Sequence, residues 1–548
     1  MTAISGGILM GLTPAPVQAW PLAWIALVPL WFLVATAKSV KRSSFYGLLW
    51  GIGYHGLALS WITGIHPMDW MGVPWLLSIA IALFCWTFIT LWGAILVALW
   101  AAGMTFLNNL KFVLKKSQFN SAFSALTRVL IGTTLWCLLE AIWSAGSLWW
   151  SSLSYTQSPH NLIILHLGQL SGPQMVTAAI VAVNGLMAEA GMHYQHGREL
   201  GTRERGIGGE AEKVTLASPH PIVYLSLGIA LLLVSHLIGF GLYSRPLIQP
   251  TETALKVGII QGNIPNQIKL YPAGWRRAIE GYTTGYNNLA DEGVQAVLTP
   301  ETALPFIWEE QVRDRSSFYS AILNKGVLAW VGALGQEGST LSVAEEGSTL
   351  SVAEGLGFTN SLFTVSGTGK TLSRYNKVKL VPLGEYIPFE PVVGRLINRL
   401  SPLDAHLVAG KPAQIFETPW GRAIVGICYD STFAEHFRRQ AAKGGEFILT
   451  ASNNAHYSET MPAQHHAQDV MRAIESDRWA VRATNTGYSG IIDPHGRTRW
   501  LSGINTYEIH ADTVYRRQTQ TLYVRWGDWL TSLLLGLAVL AITVMSLR

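Results

Sequence analysis

The sequence predicts a polytopic α-helical membrane segment of about eight spans carrying one α/β domain outside the cytoplasm. Three observations lead there. Of 548 residues, 49% are hydrophobic, 22 are Trp and only 13% are charged, too apolar for a soluble chain of this length. The apolar residues fall in blocks at 4–17, 20–36, 45–64, 73–104, 125–145, 163–190, 221–243 and 527–546. Between the last two blocks the pattern changes to short β-branched runs alternating with helical stretches.

A helix needs about 20 apolar residues to cross the hydrocarbon core. The first two blocks are short and punctuated by proline ("GLTPAPVQAWPLAW"). The first reads as a span, since it lacks the basic start and small-residue cleavage site of a signal peptide. The block at 73–104 is long enough for a tilted span with an extension. Charge then orients the set. Lys38, Lys41 and Arg42 mark one loop, Lys111, Lys115 and Lys116 another, and Arg198, Arg203, Arg205 and Lys213 a third. The intervening loops hold only Asp69 or, at 146–162, no charge. The positive-inside rule puts the basic loops in the cytoplasm, so seven spans deliver the α/β domain outside and an eighth returns Arg548. The expected division is a membrane segment at 1–243, an external domain at 244–525 and a last span at 526–548.

Composition also excludes. The net charge of +5 is small, and no basic, aromatic-interleaved stripe points to nucleic acid. Three cysteines supply neither a disulfide framework nor a CxxC pair for zinc.

In the external domain, runs such as "LKVGIIQGN", "VQAVLTPE", "VLAWVGALG", "RAIVGICYD" and "EFILTASNN" read as strands. A helix is expected over 273–290, with Trp275, Ile279, Tyr282, Tyr286 and Leu289 at helical spacing. Another is expected from about Thr432 to Lys443, stopped by Gly444-Gly445. "EGSTLSVAE" at 337–345 repeats unchanged at 346–354; nine residues are too few for a solenoid unit, so it reads as a lengthened hairpin loop. "TVSGTGKT" lacks the first glycine of a phosphate-binding loop, Thr364 standing there, and Gly367–Gly369 reads as a hairpin turn.

Cys428 ends a β-branched run in "GICYD", the external domain's single cysteine in a compartment where thiols oxidise. A buried, inert cysteine is the bland alternative. Against it, a strand-to-helix elbow aims the side chain out of the sheet, beside a helix N-terminus that favours the thiolate. A nucleophile also needs a base and a partner for the oxyanion. Two polar residues sit in apolar contexts: Glu301 closes "VQAVLTPE", and Lys377 lies in "RYNKVKLVPLGEYIPF" with Glu385 eight residues on. Singly, these could be a cap, a surface lysine and its ion-pair partner.

Taken in order, the three stretches resemble the nitrilase superfamily, whose signature is a Glu-Lys-Cys triad on a four-layer αββα sandwich. With the spans included, the chain is similar over essentially its whole length to the membrane-embedded apolipoprotein N-acyltransferase family. "SWITGIH", "IIQGNIPNQIK", "YNKVKLVPLGEYIPFE", "GICYD", "QHHAQDVMRAIESDR", "VRATNTGYSGIIDPHG" and "YVRWGDW" carry that likeness. It implies Glu301 as general base, Lys377 as oxyanion-stabilising cation and Cys428 as acylated nucleophile, with Glu385, Tyr429 and Asp430 at supporting positions. The Tyr429 N–H is a natural second oxyanion donor. Glu301 must lie near a neutral Cys428 thiol while Lys377 stays charged, so both should be partly buried and coupled.

The same resemblance implies a ping-pong acyl transfer in the bacterial plasma (inner) membrane, with the site on the periplasmic side and no cofactor. A phospholipid, typically phosphatidylethanolamine, would acylate Cys428. The chain would then pass to the α-amine of a diacylglyceryl-cysteine that begins an apolipoprotein, an amine that must shed a proton, favourably to Glu301. The sequence departs from the family at Asp430, where Glu is usual, at Leu270, where Trp commonly follows, and at Asn453-Asn454-Ala455-His456-Tyr457 in place of Asn-Asp-Ala-Trp-Phe. His465, His466 and Asp469 suggest a packed helix face, and the family uses no metal. Two rivals are a soluble-type C–N hydrolase that gained an anchor and a transporter using the spans as a pathway. Eight spans exceed what an anchor needs, and a transporter wants polar residues inside the spans, where Glu140 is nearly the lone carboxylate.

Overall fold

Along the strand β1 (Ala254–Gln261) alternate residues enter two different cores, because successive side chains of a strand point to opposite faces. Leu255, Val257 and Ile259 join one cluster and Ile260 joins another. The computed structural model builds the rest of this unit around that alternation. It describes residues 1–109, 121–206, 221–308, 313–337, 357–382, 384–386, 407–455 and 457–547. The tandem copies beyond Glu337, His456, Lys111, Lys115, Lys116 and Lys213 lie outside the described residues. Two units emerge: Met1–Thr63 with Leu83–Arg245 and Trp526–Arg548, and Gly64–Ala82 with Pro246–Arg525.

Among the described residues, five helices are long and apolar enough to cross a membrane: Trp75–Asn109, Ala125–Ala145, Pro173–Arg198, Pro221–Tyr243 and Trp529–Ser546. The other expected spans are shorter or less apolar. Thr2–Gly11 has ten residues, and the block at 20–36 breaks into a 3₁₀ turn, Trp20–Trp24, and a helix, Val28–Ala35. The block at 45–64 forms Val40–Ala58, capped by Ser39. The block at 163–190 is interrupted at Gly172, whose φ of +70° ends one short helix before Pro173 opens a long one. Helices in the first unit approach backbone to backbone: a Cβ on Gly7 would lie 2.0 Å from the Trp50 carbonyl oxygen.

The second unit holds two sheets. The first runs β13 (Glu508–Tyr515), β1, β2 (Ala296–Leu298), β4 (Leu328–Glu337), β5 (Gly357–Val365), β6 (Thr371–Asn376), with β3 (Leu304–Ile307) also paired to β4. The other runs β12 (Thr498–Leu501), β11 (Gly490–Ile492), β10 (Ala480–Thr484), β9 (Gly445–Ser452), β8 (Gly421–Ile427), β7 (Phe416–Thr418). Between them lies one core in which Val257, Trp330 and Leu362 of the first sheet meet Val425, Phe447 and Val481 of the second. Helices Pro272–Asp291 and Ser317–Lys325 cover the outer face of the first sheet through Tyr282, Tyr286, Leu289, Phe318 and Ile322. Trp275, expected on that buried stripe, is 40% exposed. Helices Ala434–Ala442 and Thr460–Ser476 cover the second sheet. The result is a nitrilase-like αββα sandwich. Gly367–Gly369 forms the β5–β6 turn, where Ser366 N donates to Lys370 O at 2.9 Å.

Candidate active site

Three chain segments deliver the predicted triad to one place. Glu301 follows β2 on a turn where Thr302 takes φ +47°. Lys377 follows β6, and its backbone N–H donates to the Asn360 carbonyl at 2.8 Å, extending the pairing with β5. Its Nζ lies 2.9 Å from Glu301 Oε1 and 2.8 Å from Glu385 Oε1, with the lysine only 1% exposed. Asn360 Nδ2 donates to Glu301 Oε1 at 2.6 Å, and at 3.4 Å to Glu385 Oε1. The second Glu385 oxygen accepts from Val381 N at 2.8 Å.

Cys428 directly follows β8 with φ +50°, the left-handed region that a residue with a Cβ seldom adopts. Gly426 is needed just before it, since a Cβ there would fall 2.5 Å from the Phe437 ring. The thiol points to the Asn453 carbonyl at the end of β9, with an Sγ···O distance of 4.0 Å. Asp430 clamps the elbow from below: its carboxylate accepts from Ile427 N at 3.0 Å, Tyr375 OH at 2.9 Å and Lys379 N at 2.7 Å. Tyr429 meets Phe433 edge-on with ring centroids 5.1 Å apart.

The helix expected from about Thr432 begins at Ala434, and a separate turn carries the thiol. Cys428–Thr432 form this one 3₁₀ turn, and Phe433 is extended. The thiolate is correspondingly disfavoured at rest. Burial pushes the thiol up, Glu301 adds to that, and the opposing Lys377 leaves it at about 12. For Glu301, burial pushes the carboxyl up, but Lys377, Lys269 and Asn360 together hold it below its ordinary value. Burial works against the charge on Lys377 as well, and Glu301, Glu385 and Cys428 outweigh it, so the ammonium persists. Glu385 is raised, by burial and by the Glu301 charge, against the pull of Lys377. The resting set is a carboxylate and an ammonium beside a neutral thiol. Such a set can move the thiol proton onto Glu301 and leave the cation to meet an oxyanion.

Three participants escaped the sequence. Asn360 lies in strand "GFTNSLFTV", with no signal beyond an amide in an apolar run. Lys269, 7% exposed, donates from Nζ to the Glu301 carbonyl at 3.1 Å; a lysine closing the short run "NIPNQIK" was its only mark. His465 lies on the packed helix face expected for it, and what the sequence did not show is that its Nε2–H donates to the Cys428 carbonyl at 2.8 Å. His466 instead meets Thr498 Oγ1 at 2.9 Å, and Asp469 pairs with Arg482. No His, Cys, Asp and Glu group among the described residues has the arrangement of a metal site.

Comparison with known proteins covers both units. A family model described as apolipoprotein N-acyltransferase N-terminal domain matches residues 6–186, and one described as carbon-nitrogen hydrolase matches 256–516. An apolipoprotein N-acyltransferase of Nostoc sp. is 57% identical over 97% of this chain and 96% of its own length. One from Synechocystis sp. is 46% identical over 97% and 98%. A variant of a Nesterenkonia amidase from the nitrilase superfamily superposes on 52% of this chain and 100% of its own, with 17% identity and a TM-score of 0.36.

Proposed function

Because the chain belongs to the apolipoprotein N-acyltransferase family, we propose that it acylates Cys428 from a phospholipid and passes the acyl chain to the α-amine of a lipoprotein's N-terminal diacylglyceryl-cysteine. The observation that carries the mechanism is the Lys377 ammonium held between Glu301 and Glu385 beside a neutral Cys428 thiol. Glu301 takes the thiol proton as sulfur attacks the ester carbonyl carbon. Lys377 faces the oxyanion, and Glu301 returns the proton to the departing lysophospholipid hydroxyl. The thioester C–S bond then breaks as the α-nitrogen attacks.

Phosphatidylethanolamine is the donor we favour, on family resemblance. The same resemblance, with the basic loops, supports eight crossings of a bacterial inner membrane and a periplasmic site. The bond pattern in the first unit does not favour a transport pathway. Glu140 is occupied by Leu153 N, Ser152, Thr177 and Trp136, and a second carboxylate, Glu189, is paired with Arg128.

The test is mass spectrometry of the purified protein in phospholipid. Wild type should carry an acyl group on Cys428, and Cys428→Ala should yield neither thioester nor acylated lipopeptide. Substantial transfer by a folded Cys428→Ala protein would refute the thioester route. Glu301→Gln should slow acylation by roughly two to four orders of magnitude. Combined with Lys377→Met it should be little worse, because residues acting as one unit are not additive.

A further inference from the structure

The mechanism above gives one buried lysine no part in proton transfer. Lys269 ends the one-turn helix Asn266–Lys269, and its Nζ is anchored on the Glu301 backbone carbonyl at 3.1 Å. It belongs to the reacting cluster electrostatically: Glu301, Cys428 and Lys377 all act on it, and it acts on Glu301. Unlike Lys377, it has no carboxylate within ion-pair distance among the described residues. Burial therefore dominates, with Lys377 adding to it, and brings Lys269 down to about 8 against the opposing pull of Glu301 and Cys428. That is close to the ordinary value of an α-amino group, about 8.

Proton bookkeeping in the proposed transfer step calls for a group of this kind. The acceptor arrives as an α-ammonium with three protons. A bond forms between its nitrogen and the acyl carbonyl carbon, and the C–S bond to Cys428 breaks. One proton stays on the amide nitrogen, one travels through Glu301 to Sγ, and the third must leave the nitrogen. Glu301 carries one proton at a time. Water, or any neutral nucleophile, creates no such surplus and needs only one base.

We propose that Lys269, as its neutral amine, is the second base of the transfer half-reaction, taking the surplus ammonium proton on Nζ and releasing it to solvent as product leaves. This rests on the acyl-transfer reading above.

The experiment separates the half-reactions of full-length protein in phospholipid nanodiscs. Wild type, Lys269→Met and Lys269→Arg are first acylated, and the thioester is followed by mass spectrometry. Each is then offered a synthetic diacylglyceryl-cysteine lipopeptide or hydroxylamine, a nucleophile that is neutral at pH 7. Lys269 also acts on Glu301, so the acylation and hydroxylamine rates of each protein set its own baseline. Relative to that baseline, lipopeptide aminolysis should slow about 100-fold in both variants, Arg included because a guanidinium does not deprotonate. Wild-type aminolysis by Lys269→Arg would overturn the proposal, since a fixed cation would then suffice. So would undiminished aminolysis by Lys269→Met, or an equal loss with hydroxylamine. Failure of wild type itself to form the Cys428 thioester would instead sink the acyl-transfer reading, and this proposal with it.

Discussion

His465 Nε2–H donates to the carbonyl oxygen of Cys428 across 2.8 Å, while its Nδ1 accepts from Asn454 Nδ2 at 3.2 Å. The helix Thr460–Ser476 thus grips the nucleophile by its backbone and leaves the thiol free to react. A non-glycine residue at positive φ costs about 1–3 kcal/mol, so the elbow needs such restraints to persist.

His465→Ala should therefore lower stability by about 1–3 kcal/mol, the cost of leaving a buried carbonyl unpaired. It should also slow Cys428 acylation in the fraction that remains folded, with His465→Gln restoring part of the rate. Thermal unfolding and thioester mass spectrometry read the two effects separately. An unchanged rate in folded His465→Ala protein would reduce the bond to a structural one.

Stability should rise with pH over the acid range. Burial pushes His465 down to about 3 and His466 to about 4, from an ordinary value of 6.5. Between those values the unfolded chain binds protons that the folded chain refuses, so acid favours unfolding. The histidine contribution is complete above pH 6.5 and is lost progressively below it. His465→Gln should flatten the slope of stability against pH over that window; an unaltered slope would show that His465 titrates normally.

Lys377→Met should unfold far more readily than its surface effect would suggest. It strands two buried carboxylates, at about 3–5 kcal/mol for a broken buried ion pair. Adding Glu385→Gln neutralises one of them and should recover part of the loss. A double variant no more stable than Lys377→Met would mean that the carboxylates are already protonated or hydrated.

Alkylation of Cys428 should separate the two roles of Glu301. Its charge is the second cause, after burial, of the raised thiol. Glu301→Gln should thus move the pH midpoint of iodoacetamide labelling downward even as phospholipid acylation slows. Peptide mass spectrometry distinguishes Cys428 from Cys85 and Cys137. A midpoint that rises or stays put would contradict the electrostatic coupling.

Reporters fused near residues 205 and 340 should lie on opposite sides of the membrane. The same side for both would refute the orientation, and with it a site that reaches external lipoproteins.

The three candidate residues that the structure brings together were legible because each broke a pattern: an acid at the end of an apolar strand, a lysine in an apolar run, a cysteine in a chain nearly without them. The short β-branched runs of β1 and β4 were likewise legible as strands. What sequence could not carry was contact across elements. Asn360 and Glu301 are 59 positions apart and share a 2.6 Å hydrogen bond, and His465 reaches a carbonyl 37 positions away. The elbow misled for a local reason. "CYDSTF" reads as a helix start, but Asp430 turns back onto Ile427 N, and the chain closes one 3₁₀ turn before the helix begins.

Glu301 and Lys377 hang from the first sheet and Cys428 from the second, with one shared core between the sheets. Under the proposed mechanism the thiol meets its base only once that core has closed. This division would guard an acyltransferase against premature attack on esters. A copy that has not yet shut its sandwich holds a protonated sulfur with nothing to take its hydrogen. Reactivity arrives with the finished fold, so a misassembled copy is inert and does not become a stray acyl scavenger.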